Sequence, residues 1–160
     1  MTTKTNKIDL GKNITWDLSN LYTSETDPQI KKDINVSLEK AKAFEKKYKD
    51  KIKTLSPEQL KTAFIELETC LTPLYKAGQY ASLRYSIETQ NDTIKVLEAE
   101  IDDIESKVSN HLVFFSLELG SCDQDIINSF ITSDSLKNYA YSIEHDKKTA
   151  AFNLLSCLGK

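Results

Sequence analysis

The side chains best suited to metal or nucleophilic chemistry in this sequence are two histidines, His111 and His145, and three cysteines, Cys70, Cys122 and Cys157. A catalytic zinc takes three protein ligands, and a helical zinc-peptidase site sets two histidines one turn apart with a Glu between them. Neither histidine has another four residues away. His111 falls at the apolar end of a helical stripe, where a core-edge histidine is expected. His145 lies between Glu144 and Asp146, and a metal there needs ligands from distant parts of the chain. The cysteines are odd in number and show no CxxC spacing. Reduced thiols are therefore expected, not a disulfide framework. Neither Cys122 nor Cys157 has a context that supports a nucleophile paired with His145.

The carboxylates are no more suggestive. Asp102-Asp103 and the pair Glu98 and Glu100 are close in sequence, but such neighbours splay apart on a helix and form a solvated face. No GxxxxGK[ST], GxGxxG or GxSxG string occurs, which removes the P-loop, dinucleotide and nucleophile-elbow possibilities. Tyr75, Tyr80, Tyr85 and Arg84 make a polar-aromatic group. Tyr80 precedes Arg84 by one turn, and Arg84 precedes Glu88 by one turn. That is a local stack and ion pair, worth roughly a few tenths of a kcal/mol if exposed. The functional alternative is that these aromatics line a peptide channel. No catalytic, cofactor-binding or metal-ligating residue can be named from these patterns.

The elements that position these residues read as helices throughout. Only 4 Gly and 3 Pro occur in 160 residues, too few for the tight turns of an all-β fold. Charged residues make up 28% and hydrophobic ones 39%, which suits helices with one buried and one wet face. The periodicity predicts an all-α bundle of antiparallel hairpins with about five to six helices. Asp27-Pro28 opens a helix with the apolar stripe Ile30, Ile34, Leu38, Ala41, Phe44 and Tyr48. Ser56-Pro57-Glu58-Gln59 is a capping box before a second stripe, Leu60 to Tyr85. Pro73 either kinks this helix or starts a new one. Gly78 and Ala81 on the stripe predict close approach of a neighbouring helix.

Asn91 or Asp92 caps a third helix, with the seam Ile94, Leu97, Ile101, Ile104, Val108 and either His111 or Leu112. Its opposite face is acidic. The short polar link before it makes the second and third helices an antiparallel hairpin. Ser121-Cys122-Asp123-Gln124 reads as a second capping box before a short helix through Ile126, Ile127 and Phe130. Asp134 or Ser135 opens another helix, with Leu136, Tyr139, Ala140 and Ile143 on one side. Near the start, Leu18, Leu21 and Tyr22 share a turn with Trp16 and are expected to staple the N-terminal segment to the fold.

The net charge of −3 is mild, but its distribution is uneven. Residues 31–53 hold nine Lys, and residues 98–125 hold eight acids against Lys107 alone. Acids interleave with the lysines and no aromatic-flanked Arg pattern occurs. The basic run is therefore expected to be a solvated face that complements the acidic helix, not a nucleic-acid surface. Residues 1–12 carry no apolar segment of the secretory kind. No run approaches the roughly 18 apolar residues of a membrane span. The expectation is a cytoplasmic chain with no nucleic-acid or membrane partner.

Four strings, in order, carry a family resemblance. They are Trp16-Asp17-Leu18-Ser19-Asn20-Leu21-Tyr22; Leu74-Tyr75 with Tyr80-Ala81-Ser82-Leu83-Arg84-Tyr85-Ser86; Phe114-Phe115-Ser116-Leu117-Glu118-Leu119; and Tyr139-Ala140-Tyr141-Ser142-Ile143-Glu144. Together they resemble the N-terminal region of the oligoendopeptidase F group, in the M3 family of zinc metallopeptidases. The resemblance implies a flexible tail over 1–13, an N-terminal helical domain over 14–146, and a divergent or truncated tail over 147–160. It also implies that an intact enzyme hydrolyses short peptides with zinc held in a further, catalytic domain by an H-E-x-x-H helix. No position here matches those ligands, so catalytic, cofactor and metal residues are none in this chain. The implied role is a non-catalytic channel wall whose partner is the missing catalytic domain. The alternative is a stand-alone helical protein-interaction module.

Overall fold

The computed structural model describes the backbone of residues 17–158 and the side chains of residues 17–150. The expected tail over 1–13, Trp16, and the apolar side chains from Phe152 to Leu158 lie outside the described residues. Those described form five α-helices and no strand. They are α1 (Pro28–Tyr48), α2 (Pro57–Ile87), α3 (Asp92–Ser121), α4 (Gln124–Ile131) and α5 (Ala140–Leu158). The chain is all-α, as its periodicity predicts. Among the described residues no helix is long and apolar enough to cross a membrane.

The first three helices start at the expected signals. Asp27 accepts from the Gln29 N–H at the head of α1. Ser56 and Gln59 close a reciprocal capping box on α2. Asn91 caps α3 by accepting from Thr93 N and Ile94 N. Pro73 starts no new helix: α2 runs through it from Pro57 to Ile87.

The helix starts after α3 differ from expectation. Ser121 does not cap α4. It is the last residue of α3, and its hydroxyl donates backward to the Glu118 carbonyl. Asp123 holds the cap position of α4 without a side-chain cap bond. The helix expected from Asp134 or Ser135 is split into a 3₁₀ turn, Asp134–Leu136, and α5. The turn swings Tyr139 over α2, where its ring stacks on Phe64 with centroids 4.4 Å apart. α5 then runs unbroken past residue 147, where a divergent tail was expected to begin.

α2 and α3 form the expected antiparallel hairpin, and α1 lies along it. α1 is antiparallel to α2, because Asp33 meets Lys76 while Lys47 meets Glu66. It is parallel to α3, because Lys31 meets Glu100 and Glu45 meets His111. The stripes interlock in one core, fully burying Ile30, Ile34, Leu60, Leu74 and Phe115. Phe115 sits with Phe44 at 5.5 Å and Phe64 at 5.2 Å between ring centroids, so one side chain joins α1, α2 and α3. Leu112, not His111, is the buried seam residue at the end of α3.

α5 closes one end of the hairpin. It crosses α3 at Gly120, where a Cβ would lie 2.6 Å from Ala150 Cβ and 2.7 Å from the Asp146 carbonyl oxygen. Only glycine lets the helices approach this far.

Candidate binding groove

His111, Cys70 and Cys122 are taken up by the fold, while the Cys157 side chain lies outside the described residues. His111 Nδ1 lies 2.7 Å from Glu45 Oε2, and the other Glu45 oxygen accepts from Lys49 at 2.7 Å. This arrangement ties α3 to α1. Lys49, then His111, hold the Glu45 carboxyl below its ordinary range. His145 is exposed beside Tyr141, with Asp146 4.0 Å away. Cys70 and Cys122 are buried free thiols, and burial pushes both up from the ordinary thiol range. Among the described residues no three His, Cys, Asp or Glu side chains are grouped to hold a metal ion. These residues do not fit the zinc that the resemblance implies for an intact enzyme.

The polar aromatics separate into two environments. Tyr80 is buried, its ring edge-on to Tyr22 with centroids 5.3 Å apart. The Tyr22 phenol donates to Asp33 at 2.7 Å, and Lys76 Nζ lies 4.2 Å from the centre of its ring. This is the predicted staple, seen here through Leu18, Leu21 and Tyr22. Arg84 reaches Glu88 as expected, at 3.3 Å, and also bonds Glu25 near the N-terminal turn. Spacing along α2 could reveal Glu88 but not Glu25. Tyr80 is therefore a core residue, whereas Tyr75 is 57% and Tyr85 37% exposed.

Tyr75 stands over a groove of about 380 Å³ between α2 and α3. One wall is Tyr75, Gln79 and Ser82 of α2, and the other is Glu98, Asp102 and Glu105 of α3. The floor is Leu74, Gly78 and Ile101. Each wall is spaced at successive helical turns, so each is one face of its helix. The carboxylates were legible as an acidic face, but their position opposite Tyr75 was not.

The close approach expected at Gly78 is absent. A Cβ there would meet nothing nearer than Ile101 Cγ2 at 4.0 Å. Ala81 is buried as expected. The missing side chain at Gly78 leaves the groove floor open. The fold's tight contact belongs instead to Gly120, which sequence periodicity did not single out.

The groove continues the surface on which the C-terminal segment packs. Ser116, which neighbours Asp146 of α5, lies about five turns along α3 from Glu98 and on the same face. Phe64, which carries Tyr139, lies about five turns along α2 from Ser82. Around Phe64, Ser116 and Gly120 the hairpin is covered by the Tyr139–Ala150 segment. Among the described residues the stretch near Glu98 and Ser82 is open.

The basic run on α1 complements the acidic helix at one position, Lys31 with Glu100 at 3.4 Å. Its other pairs fall within α1 or reach Glu66 of α2. Comparison with profiles of known protein families, with curated proteins and with solved structures gives no match.

Proposed function

We propose that this chain is the non-catalytic helical wall of an oligoendopeptidase-F-like zinc peptidase, shaping a channel that admits short peptides. The reading rests on the ordered resemblance of the four strings. One structural observation supports it: residues from all four strings occupy one connected core. Tyr22 packs on Tyr80, Phe115 packs on Phe64, and Tyr139 stacks on that same Phe64. Chelation and bond cleavage belong, on this reading, to residues outside this chain.

The test has two arms. The purified chain with added zinc is offered internally quenched short peptides, and no cleavage is expected. Hydrolysis that survives purification and is abolished by a chelator would overturn the non-catalytic role. The coding sequence beyond Lys160 is then read for an H-E-x-x-H helix followed by a Glu ligand. A continuing or adjacent frame that lacks one overturns the peptidase assignment.

A further inference from the structure

We infer that Glu118 is a conformational latch: its carboxylate is the anion held in a backbone nest just after α1, and it ties the α1–α2 link to the last turn of α3. The inference rests on main-chain geometry and stands whether or not the chain is part of a peptidase.

The chain reverses between Tyr48, the end of α1, and Pro57, the start of α2. Among the described residues Asp50 is the only non-glycine with positive φ, at 65°. Lys51 follows at φ −123° and ψ −9°. A left-handed residue followed by a right-handed one turns successive N–H groups toward one point, and such a nest suits an anion. The Glu118 carboxylate occupies it. Asp50 N–H donates to Glu118 Oε1 at 2.7 Å, and Ile52 N–H donates to Glu118 Oε2 at 3.4 Å. The N–H between them, that of Lys51, donates to the Tyr48 carbonyl at 3.0 Å.

The link does not take this shape on its own account. Asp50 carries a Cβ, so the left-handed angle is unfavourable to it compared with glycine. Backbone bonds to a carboxylate are roughly twice as strong as neutral ones, and here they come from 68 residues away. The Asp50 side chain lines the same small cavity, of about 180 Å³, as Glu118, Lys53 and Ser121. A like charge alone would turn Glu118 out to solvent, yet it stays on the nest. The turn that carries it is fixed in its own right: the Glu118 carbonyl accepts from Ser121 Oγ at 2.8 Å and Cys122 Sγ at 3.3 Å. Gly120, where α5 crosses, is two residues on. Directly after the kink Ile52 is fully buried. The latch thus sets where the link enters the core, and the same turn of α3 seats α5.

The test removes the latch from the whole chain and then returns a small carboxylate. In Glu118→Ala, amide exchange at Asp50 and Ile52 should quicken at least about tenfold beyond any change at the core amides of Ile34 and Leu60, as loss of bonds to a charged acceptor implies. The urea midpoint should fall with it. Sodium formate should reverse part of both effects in a saturable way, and sodium chloride at the same concentration should not. In the wild-type chain, whose nest is filled, the two salts should act alike. Asp50→Gly keeps both N–H donors and suits the left-handed angle, so both amides should stay protected. Circular dichroism confirms that each variant is folded. If Glu118→Ala does not fold, Glu118→Gln carries the exchange measurement, with a smaller loss at the same two amides. The inference is overturned by a folded Glu118 variant whose Asp50 and Ile52 amides exchange as in the wild type. It is equally overturned by formate that acts on wild type and Glu118→Ala alike, or that leaves a folded Glu118→Ala unchanged.

Discussion

Tyr22 shows how one residue joins several distant parts of the chain. Its ring packs edge-to-face with Tyr80 of α2, its hydroxyl donates to Asp33 of α1, and Lys76 sits over its ring. Burial and the Asp33 carboxylate both raise the phenol, so it stays protonated and remains the donor. Tyr22→Phe keeps the ring and loses the bond to a charged acceptor. Urea denaturation should show a loss of about 1.5 kcal/mol. A loss within error would mean that Lys76, 3.9 Å from Asp33, compensates fully.

Asp146 shifts in the opposite direction from Asp17, Glu25, Asp27 and Glu45. Burial raises its carboxyl, while the Ser116 hydrogen bond and His145 pull it down. The folded state therefore holds this proton more tightly than the unfolded state. The resulting stability is complete below the unfolded carboxylate range and is lost as pH rises through the raised folded value. Asp27 behaves in reverse: backbone bonds from Thr23 and Gln29 lower it, so its contribution is lost as pH falls. Asp146→Asn should remove the first dependence. A denaturation series across the acid range should show the wild-type chain losing more stability than the Asn variant on going up to neutral pH. Parallel curves would sink the assignment. The sequence reveals Asp146 only as a neighbour of His145, because its burial is set by where α5 crosses α3.

At the scale of elements, the two helical glycines make opposite predictions. A Cβ at Gly78 would make only an ordinary contact with Ile101, so Gly78→Ala improves helix propensity without a clash and should stabilise by about 0.5–1 kcal/mol. Gly120→Ala gains the same propensity but drives a Cβ into Ala150 and the α5 backbone. Overpacking of that kind costs about 1–3 kcal/mol, so the net should be destabilising. Paired thermal melts check both signs. The sequence invites the reverse assignment, because Gly78 lies on an apolar stripe with Ala81. Stripe membership reports which face is buried, but the separation of two helices depends on the side chains of both. The same limit explains the Ser121 error. The S-x-x-Q pattern was present, but α3 kept its last turn and used the hydroxyl as a donor to Glu118. Helix starts preceded by an unambiguous loop, at Asp27, Ser56 and Asn91, were legible because no earlier helix competed for the capping residue.

At the scale of the molecule, the issue is whether charge or the apolar core binds α1 to the hairpin. Two of the ion pairs from α1 to its neighbours, Lys31–Glu100 and Lys47–Glu66, are between exposed side chains, while the Lys76–Asp33 and His111–Glu45 contacts are partly buried. Exposed pairs contribute roughly 0.2–1 kcal/mol each and are screened by salt. The ring cluster is different: Phe44 of α1 and Phe64 of α2 are buried against Phe115 of α3, and Tyr139 continues it toward α5. Phe115→Ala leaves a cavity at this junction and should cost about 3–5 kcal/mol. The double variant Lys31→Met, Lys47→Met should cost no more than about 1–2 kcal/mol. Because the cluster spans α1, α2, α3 and the turn before α5, the four should unfold together. Far-ultraviolet dichroism and tyrosine fluorescence should then give coincident urea transitions in the wild-type chain. Separate transitions would show that α4 and α5 form their own unit, and that the Tyr139–Phe64 stack does not couple them to the bundle.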